Sequence, residues 1–198
     1  MSNFLAVDTS SRYLTVLAQK GDKRAYIHLD ECAMKHSQLL MGEVDKALKE
    51  INLKPEECDF FAAVTGPGSF TGIRIGIAAA KGFALGADKP LLSITSFNLL
   101  AYNVEDENFC VVIDAAHAHY YVCGFGGNKT QPSYLSESEV AALNVPLYGF
   151  EDLPFENYKK LDAGKCLENA VLKNKHKLSN EMHALYVRKS QAEEGRKC

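Results

Sequence analysis

The feature that most restricts the fold is a pattern written twice: a short apolar run that stops at an aspartate and is followed by a second apolar stretch. Phe4-Leu5-Ala6-Val7-Asp8 carries it first, and Cys110-Val111-Val112-Ile113-Asp114 repeats it. In both copies an apolar residue stands six positions after the aspartate, Leu14 and Tyr120, and a valine eight positions after it, Val16 and Val122. Short apolar runs broken by polar turns read as buried strands, so each copy predicts a β-hairpin with an acid at its corner. A duplicated unit, one per lobe, explains the echo; two unrelated hairpins that share a pattern over a dozen residues explain it as well.

Around these hairpins the period of the apolar residues changes repeatedly. Strands are predicted at residues 4–7, 13–17 and 25–29, with Gly21-Asp22 as the turn before the third. Met34, Leu40, Met41, Val44, Ala47, Leu48 and Ile51 then fall at three- and four-residue steps, the spacing of an amphipathic helix, which Pro55 helps to end. A strand at 60–65, a glycine-rich loop, a second helix to about Leu85, a strand at 91–94 and a short helix through Tyr102 capped by Ser96 follow. The polar stretch 103–108 reads as a lobe boundary. It divides residues 1–104 from a smaller second lobe, 105–198, with a helix at 164–173 and a polar tail from Ser190. Strands and helices mixed in this order predict α/β architecture.

With 198 residues, 46% of them hydrophobic, there is material for one domain or two small lobes with a true core. The net charge of -3 argues against a large phosphate-binding footprint, so any RNA would be held mainly by another subunit. Cys32, Cys58, Cys110, Cys123, Cys166 and Cys198 form no C-x-x-C pair, and several lie in apolar stretches, which fits a reduced, cytoplasmic setting. No charged start with an apolar h-region opens the sequence, and no apolar run approaches the roughly 20 residues of a membrane span. The expectation is a soluble, unexported protein.

The strongest local signal is Gly66-Pro67-Gly68-Ser69-Phe70-Thr71-Gly72, between a strand and a helix. Its amides and the helix N-terminus suit an anion, but neither the Lys-Ser/Thr end of a P-loop nor the G-x-G-x-x-G fingerprint is present. Either it contacts phosphate, or it is a tight turn with Ser69 or Thr71 as helix cap. The helix that follows carries Gly72, Gly76, Ala80 and Ala84 at four-residue steps. Interior glycine costs roughly 1 kcal/mol against alanine, so this face predicts close approach of another element, of this chain or of a partner. Asp8 and Asp114 end apolar strands, where they either cap turns or line a cleft.

Metal ligation has weak support. Leu40 stands four residues after His36, where a second imidazole would be needed, so His36 reads as a packed or interface residue on the stripe with Leu40 and Val44. His117 and His119 would share one strand face and could join Asp114. His28, His176 and His183 have no partner in sequence, and no G-x-S-x-G elbow or cued cysteine offers a nucleophile. No cofactor and no catalytic residue is expected.

Four pieces together resemble the TsaB family, once called YeaZ: VTGPGSFTGIRIG at residues 64–76, LAVDTS at 5–10, the lone His36-Ser37 followed by Leu40, and LYVR at 185–188. They cover the first hundred residues well and the rest thinly. The resemblance implies an actin-like (ASKHA, ribonuclease H-like) duplicated α/β fold in two lobes, whose cleft would be lined by Asp8, Thr9, Ser10, Gly66, Gly68, Ser69 and Asp114. It implies a non-catalytic scaffold that binds a TsaD catalytic subunit through its helices, with a TsaE ATPase in the larger complex and tRNA held mainly by the assembly. In TsaD a histidine pair on the first helix holds the metal; Leu40 stands at the second of those positions here. The expected partner interface is His36, Leu40, Val44, Gly72, Gly76 and Ala80, and a homodimer is compatible with the chain alone.

One departure bears on this. The family's second hairpin carries Asp-Ala-Arg-Arg or Asp-Ala-Arg-Lys, whereas this chain reads Asp114-Ala115-Ala116-His117, losing two cations at that corner. Two enzymatic rivals use the same residues: a stand-alone actin-like ATPase or kinase built on Asp8, Asp114 and the glycine loop, and a metallopeptidase suggested by the family's older label.

Overall fold

A computed structural model describes residues 2–127 and 129–188. Its first sheet is made of β1 (Phe4–Asp8), β2 (Leu14–Lys20), β3 (Lys23–Leu29), β4 (Phe60–Val64) and β5 (Leu91–Ile94), in the order β3-β2-β1-β4-β5. The hairpin strands pair antiparallel, and β4 joins β1 in parallel. The period of two sorts β1 between two cores: Phe4 and Ala6 face one, Leu5 and Val7 the other. Both faces are therefore covered, which is why β4, and β1 up to its terminal Asp8, are continuously apolar rather than alternating.

On one face lie α1 (His36–Glu50) and α2 (Phe70–Ala87), which pack against each other and against the sheet. The buried positions of α1, His36, Leu40, Val44, Ala47 and Leu48, follow the predicted stripe; Glu43 is buried without having been predicted, and two predicted residues are not buried. Met34 precedes the helix and is 96% exposed, and Met41 is 54% exposed. On the other face lie α3 (Ser96–Ala101) and α5 (Ala163–Asn174). The cap of α3 is Thr95, whose Oγ1 accepts from the Asn98 amide, and not the expected Ser96, which lies inside the helix.

The second sheet holds β6 (Asn108–Asp114), β7 (His119–Gly126), β8 (Ser133–Ser136), β9 (Leu147–Gly149) and β10 (Tyr158–Lys160), in the order β10-β9-β6-β7-β8. Read from its other edge, this is the order and sense of the first sheet: an antiparallel triplet, then parallel strands on the flank of its first member. The duplication is thus a property of the whole sheets. The second copy keeps only α4 (Glu137–Ala141) between β8 and β9 and has no helix between β9 and β10, so it is the smaller lobe.

The expected boundary after residue 104 separates the strands but not the packing. Phe109, Val111 and Ile113 of β6 share one core with Phe4, Phe60 and Leu92 of the first sheet and with Leu167 and Val171 of α5. Beyond α5 the chain returns to the first sheet: Ser179 bridges Leu91, and Met182, 1% exposed, is buried among the residues under α1 and α2. The predicted polar tail from Ser190, and Cys198, lie outside the described residues. No helix among the described residues is long and apolar enough to cross a membrane. The five described cysteines are buried and unpaired, and burial pushes the Cys58 and Cys166 thiols up to about 12.

Candidate functional site

The ends of β1 and β6 point into a cleft of about 510 Å³ between the lobes. Ser10, Gly68, Ser69 and Asp114 line it, as the sequence predicts, together with His36, which was expected at the partner interface, and Arg12, Met34, Glu151 and Asp152, which sequence reasoning missed. Glu151 and Asp152 follow the end of β9, the position that the glycine loop holds after β4 in the first copy, but here no helix follows before β10. The lining carries three carboxylates against one guanidinium, so its fixed charge favours cations over phosphates.

Asp8, Thr9 and Gly66 are absent from the lining. Asp8 is buried beneath the turn, with Oδ1 accepting from both the amide (2.8 Å) and the hydroxyl (2.7 Å) of Ser10. Burial pushes its carboxyl above the ordinary aspartate value, against the opposing pull of those two hydrogen bonds and of His36 and His28. Glu151 is raised too, first by burial, and its Oε2 has no hydrogen-bond partner.

The glycine loop is folded onto the Asp8 turn. The Ser69 amide donates to Ser10 O (2.7 Å), and the Gly72 amide donates to Ser69 Oγ (3.2 Å), which makes Ser69 the cap of α2. Two amides that would otherwise face an anion are thus bonded within the chain. A Cβ at Gly68 would fall on Ser10 O, and one at Gly72 on Thr9 O. At Gly66 the backbone has φ +99, and a Cβ would lie 2.9 Å from Leu185 O. These glycines serve close packing of the chain on itself.

The same contact corrects the expected partner face. A Cβ at Gly76 would meet Thr9 Oγ1 at 2.6 Å, and Thr9 Oγ1 donates to Gly72 O (2.7 Å). The small face of α2 is filled by this chain's own Thr9 turn. Ala80, Leu40 and Val44 are buried in the core, and His36, 4% exposed, donates from Nε2 to Tyr13 O at 2.9 Å. None of the six presents a free side chain to a partner.

A second face of α2 is left to solvent. Ala78, Gly82 and Gly86 recur at four-residue steps and are exposed, with Ile75, Ala79 and Phe83 half-buried beside them. Nothing lies within 4 Å of where a Cβ at Gly82 or Gly86 would sit, and the same holds for Gly42 on α1. Two grooves of about 370 and 360 Å³ meet at Met41 and Phe83. The sequence signal was present, since Ala78, Gly82 and Gly86 form a second four-residue series offset by two residues from the first, but the face carrying Gly72 and Gly76 masked it.

The alternative grouping of Asp114, His117 and His119 around a metal does not assemble. His117 sits in the hairpin turn, not on the strand, with Ala116, His117 and Ala118 all left-handed (φ 64, 57 and 54). Asp114 Oδ1 accepts from the Ala116 amide (2.8 Å), and the His119 ring stacks on Tyr134 at 4.8 Å. Among the described residues no three His, Cys, Asp or Glu side chains gather as a metal site.

Two sheets of one repeated topology, each with an aspartate closing its first strand and a cleft between them, define the actin-like (ASKHA, ribonuclease H-like) class. Residues 27–138, more than half of the chain, match the family model described as TsaD, tRNA N6-adenosine threonylcarbamoyltransferase. Among curated proteins, the tRNA threonylcarbamoyladenosine biosynthesis protein TsaB of Haemophilus influenzae is 34% identical over 123 residues, 59% of this chain and 51% of that protein. The TsaB of Escherichia coli is 32% identical over 112 residues, 57% and 48%. The solved structure of a Pseudomonas aeruginosa protein, described as uncharacterized with similarity to peptidase YeaZ, superposes with a TM-score of 0.76 at 20% identity, covering 95% of this chain and all of that one. The chain belongs to this family, within its TsaB (YeaZ) group. It spans about half the length of the curated relatives it matches.

Proposed function

We propose that the chain is a non-catalytic subunit in the threonylcarbamoyladenosine modification of tRNA, binding and activating a TsaD-like catalytic subunit. The observation that carries this reading is the exposed face of α1 and α2. Interior helical glycine costs roughly 1 kcal/mol against alanine, and a Cβ at Gly82 or Gly86 would meet nothing among the described residues, so no close approach there offsets the cost. Close approach of a second helix pair supplies the offset: Met41 and Phe83 stand as apolar anchors between two grooves, and Ala78, Gly82 and Gly86 let the backbones near each other. The partner's own likeness to this chain, expressed in the TsaD family match, suits a pairing of equivalent helices.

The cleft supports a scaffold rather than an enzyme. The Ser69 and Gly72 amides are bonded internally, Asp8 is buried, and Arg12 stands among three acids. Transfer of a phosphoryl group needs cationic stabilisation of the developing charge. In this reading tRNA is held mainly by the assembled complex, a TsaE-like ATPase joins it, the exposed helix face also admits a homodimer when the partner is absent, and the site of action is the cytoplasm.

The test is titration of the chain with its TsaD-like subunit by calorimetry, with tRNA modification reconstituted alongside. Gly82→Leu and Met41→Asp alter exposed positions, so both variants stay folded while partner affinity falls by about tenfold or more, with modification falling in step. Full affinity in both variants overturns the docking face.

A further inference from the structure

Residues 179–188 run across both lobes. The Ser179 amide donates to Leu91 O (2.9 Å) and the Leu91 amide returns a bond to Ser179 O (2.8 Å), which places the segment on the free edge of β5. Met182 then enters the core under α1 and α2, and the Leu185 amide donates to Thr65 O (2.8 Å) at the end of β4. Tyr186 stacks on Phe70, in the first turn of α2, with ring centroids 4.7 Å apart and planes 11° from parallel. Arg74 Nε donates to Tyr186 Oη (3.0 Å), and its guanidinium lies 5.8 Å from both ring centroids. Two residues on, Arg188 reaches the second sheet: Nη1 donates to Tyr134 Oη (2.6 Å) and the guanidinium lies 4.9 Å over the Tyr134 ring. Tyr134 belongs to the edge strand β8, and His119 of β7 stacks on the same ring.

A single stretch therefore joins the edge of the first sheet, the first turn of α2 and the far edge of the second sheet. We propose that residues 179–188 are an interlobe strap, and that the Phe70–Tyr186–Arg74 latch couples the position of the β7–β8 edge to the first turn of α2. When the β7–β8 edge shifts relative to the first turn of α2, the pull falls on Tyr186, because Leu185 is fixed to the end of β4 on one side and Arg188 is bound to β8 on the other. Stacking and an arginine bond at a partly exposed site are strong enough to hold a segment and weak enough to release it without unfolding a lobe. The strap stands whether or not the outer face of α2 binds the proposed partner.

Amide hydrogen exchange of the full chain tests it. Tyr186→Ala removes a side chain on a residue that is 41% exposed and leaves no core cavity. Exchange should quicken by about tenfold or more in β8 and in the first turn of α2 together, with β2 and β3 unchanged. Tyr186→Phe keeps the stack and should stay within about threefold of the parent in β8. Arg74→Ala, at an exposed position, reads the same coupling if Tyr186→Ala does not fold, and should quicken β8 in the same way. Quickening confined to residues 184–188, a uniform rise across both sheets, or equal rates in Tyr186→Phe and Tyr186→Ala overturns the proposal.

Discussion

Asp8 shows how far a residue's role depends on what covers it. Burial raises its carboxyl above the ordinary value of 3.8, more than the Ser10 bonds and the His36 and His28 charges lower it. A carboxyl with a raised folded pKa holds its proton more tightly in the folded chain, so its contribution is full below the unfolded value and is lost as pH rises through the folded one. Glu151 adds in the same sense. Asp8→Asn keeps an acceptor for both Ser10 bonds and removes the buried charge. Its melting temperature should therefore fall less steeply than the parent's as pH rises above about 4, measured by thermal unfolding across a pH series. The glycines of α2 make a paired prediction. Gly76→Ala pushes a methyl against Thr9 Oγ1 and should cost about 1–3 kcal/mol. Gly82→Ala meets nothing and should gain up to about 1 kcal/mol in the isolated chain. Denaturant midpoints of the two variants check both signs.

At the scale of the element, the caps and faces decide what the apolar pattern leaves open. The six residues of α3 start after Thr95, whose hydroxyl oxygen takes the Asn98 amide, while Ser96 Oγ makes only a 3.4 Å contact with Ser10 Oγ. Thr95→Ala should cost about 1 kcal/mol by loss of the cap, and Ser96→Ala clearly less, both read from urea unfolding. Helix α2 is small on two faces, one closed by the Thr9 turn and one open at Gly82 and Gly86. A periodicity of four locates such faces but not their occupants, since the spacing is the same whether the neighbour is a turn of the same chain or a partner helix.

For the whole molecule, the shared core makes the two sheets one cooperative unit, and residues late in the sequence stabilise the first lobe. Met182, 1% exposed among the residues beneath α1 and α2, should cost about 2–5 kcal/mol when changed to Ala, although it is far in sequence from every strand it supports. Far-ultraviolet circular dichroism and tyrosine fluorescence should report one coincident transition in the parent and in Met182→Ala. Separate transitions would place the lobes' stability in two independent cores.

The sequence by itself determined the strands of the first sheet and the β6–β7 hairpin with their acidic corners, and it pointed to the duplicated plan and the family, but it marked none of β8, β9 and β10. Each of those readings rests on short-range order: apolar runs of strand length, turns at Gly21-Asp22, and the closely spaced VTGPGSFTGIRIG segment. Only the tertiary structure decided that Gly68, Gly72 and Gly76 close on Thr9 and Ser10, that Asp8 lies under its own turn, that Glu151 and Asp152 enter the cleft, and that residues 179–188 return to span both lobes. The physical reason is common to all four. Backbone and apolar periods are set by neighbours a few residues away, whereas burial of a charge, filling of a small face and docking of an irregular segment depend on which distant atoms arrive there.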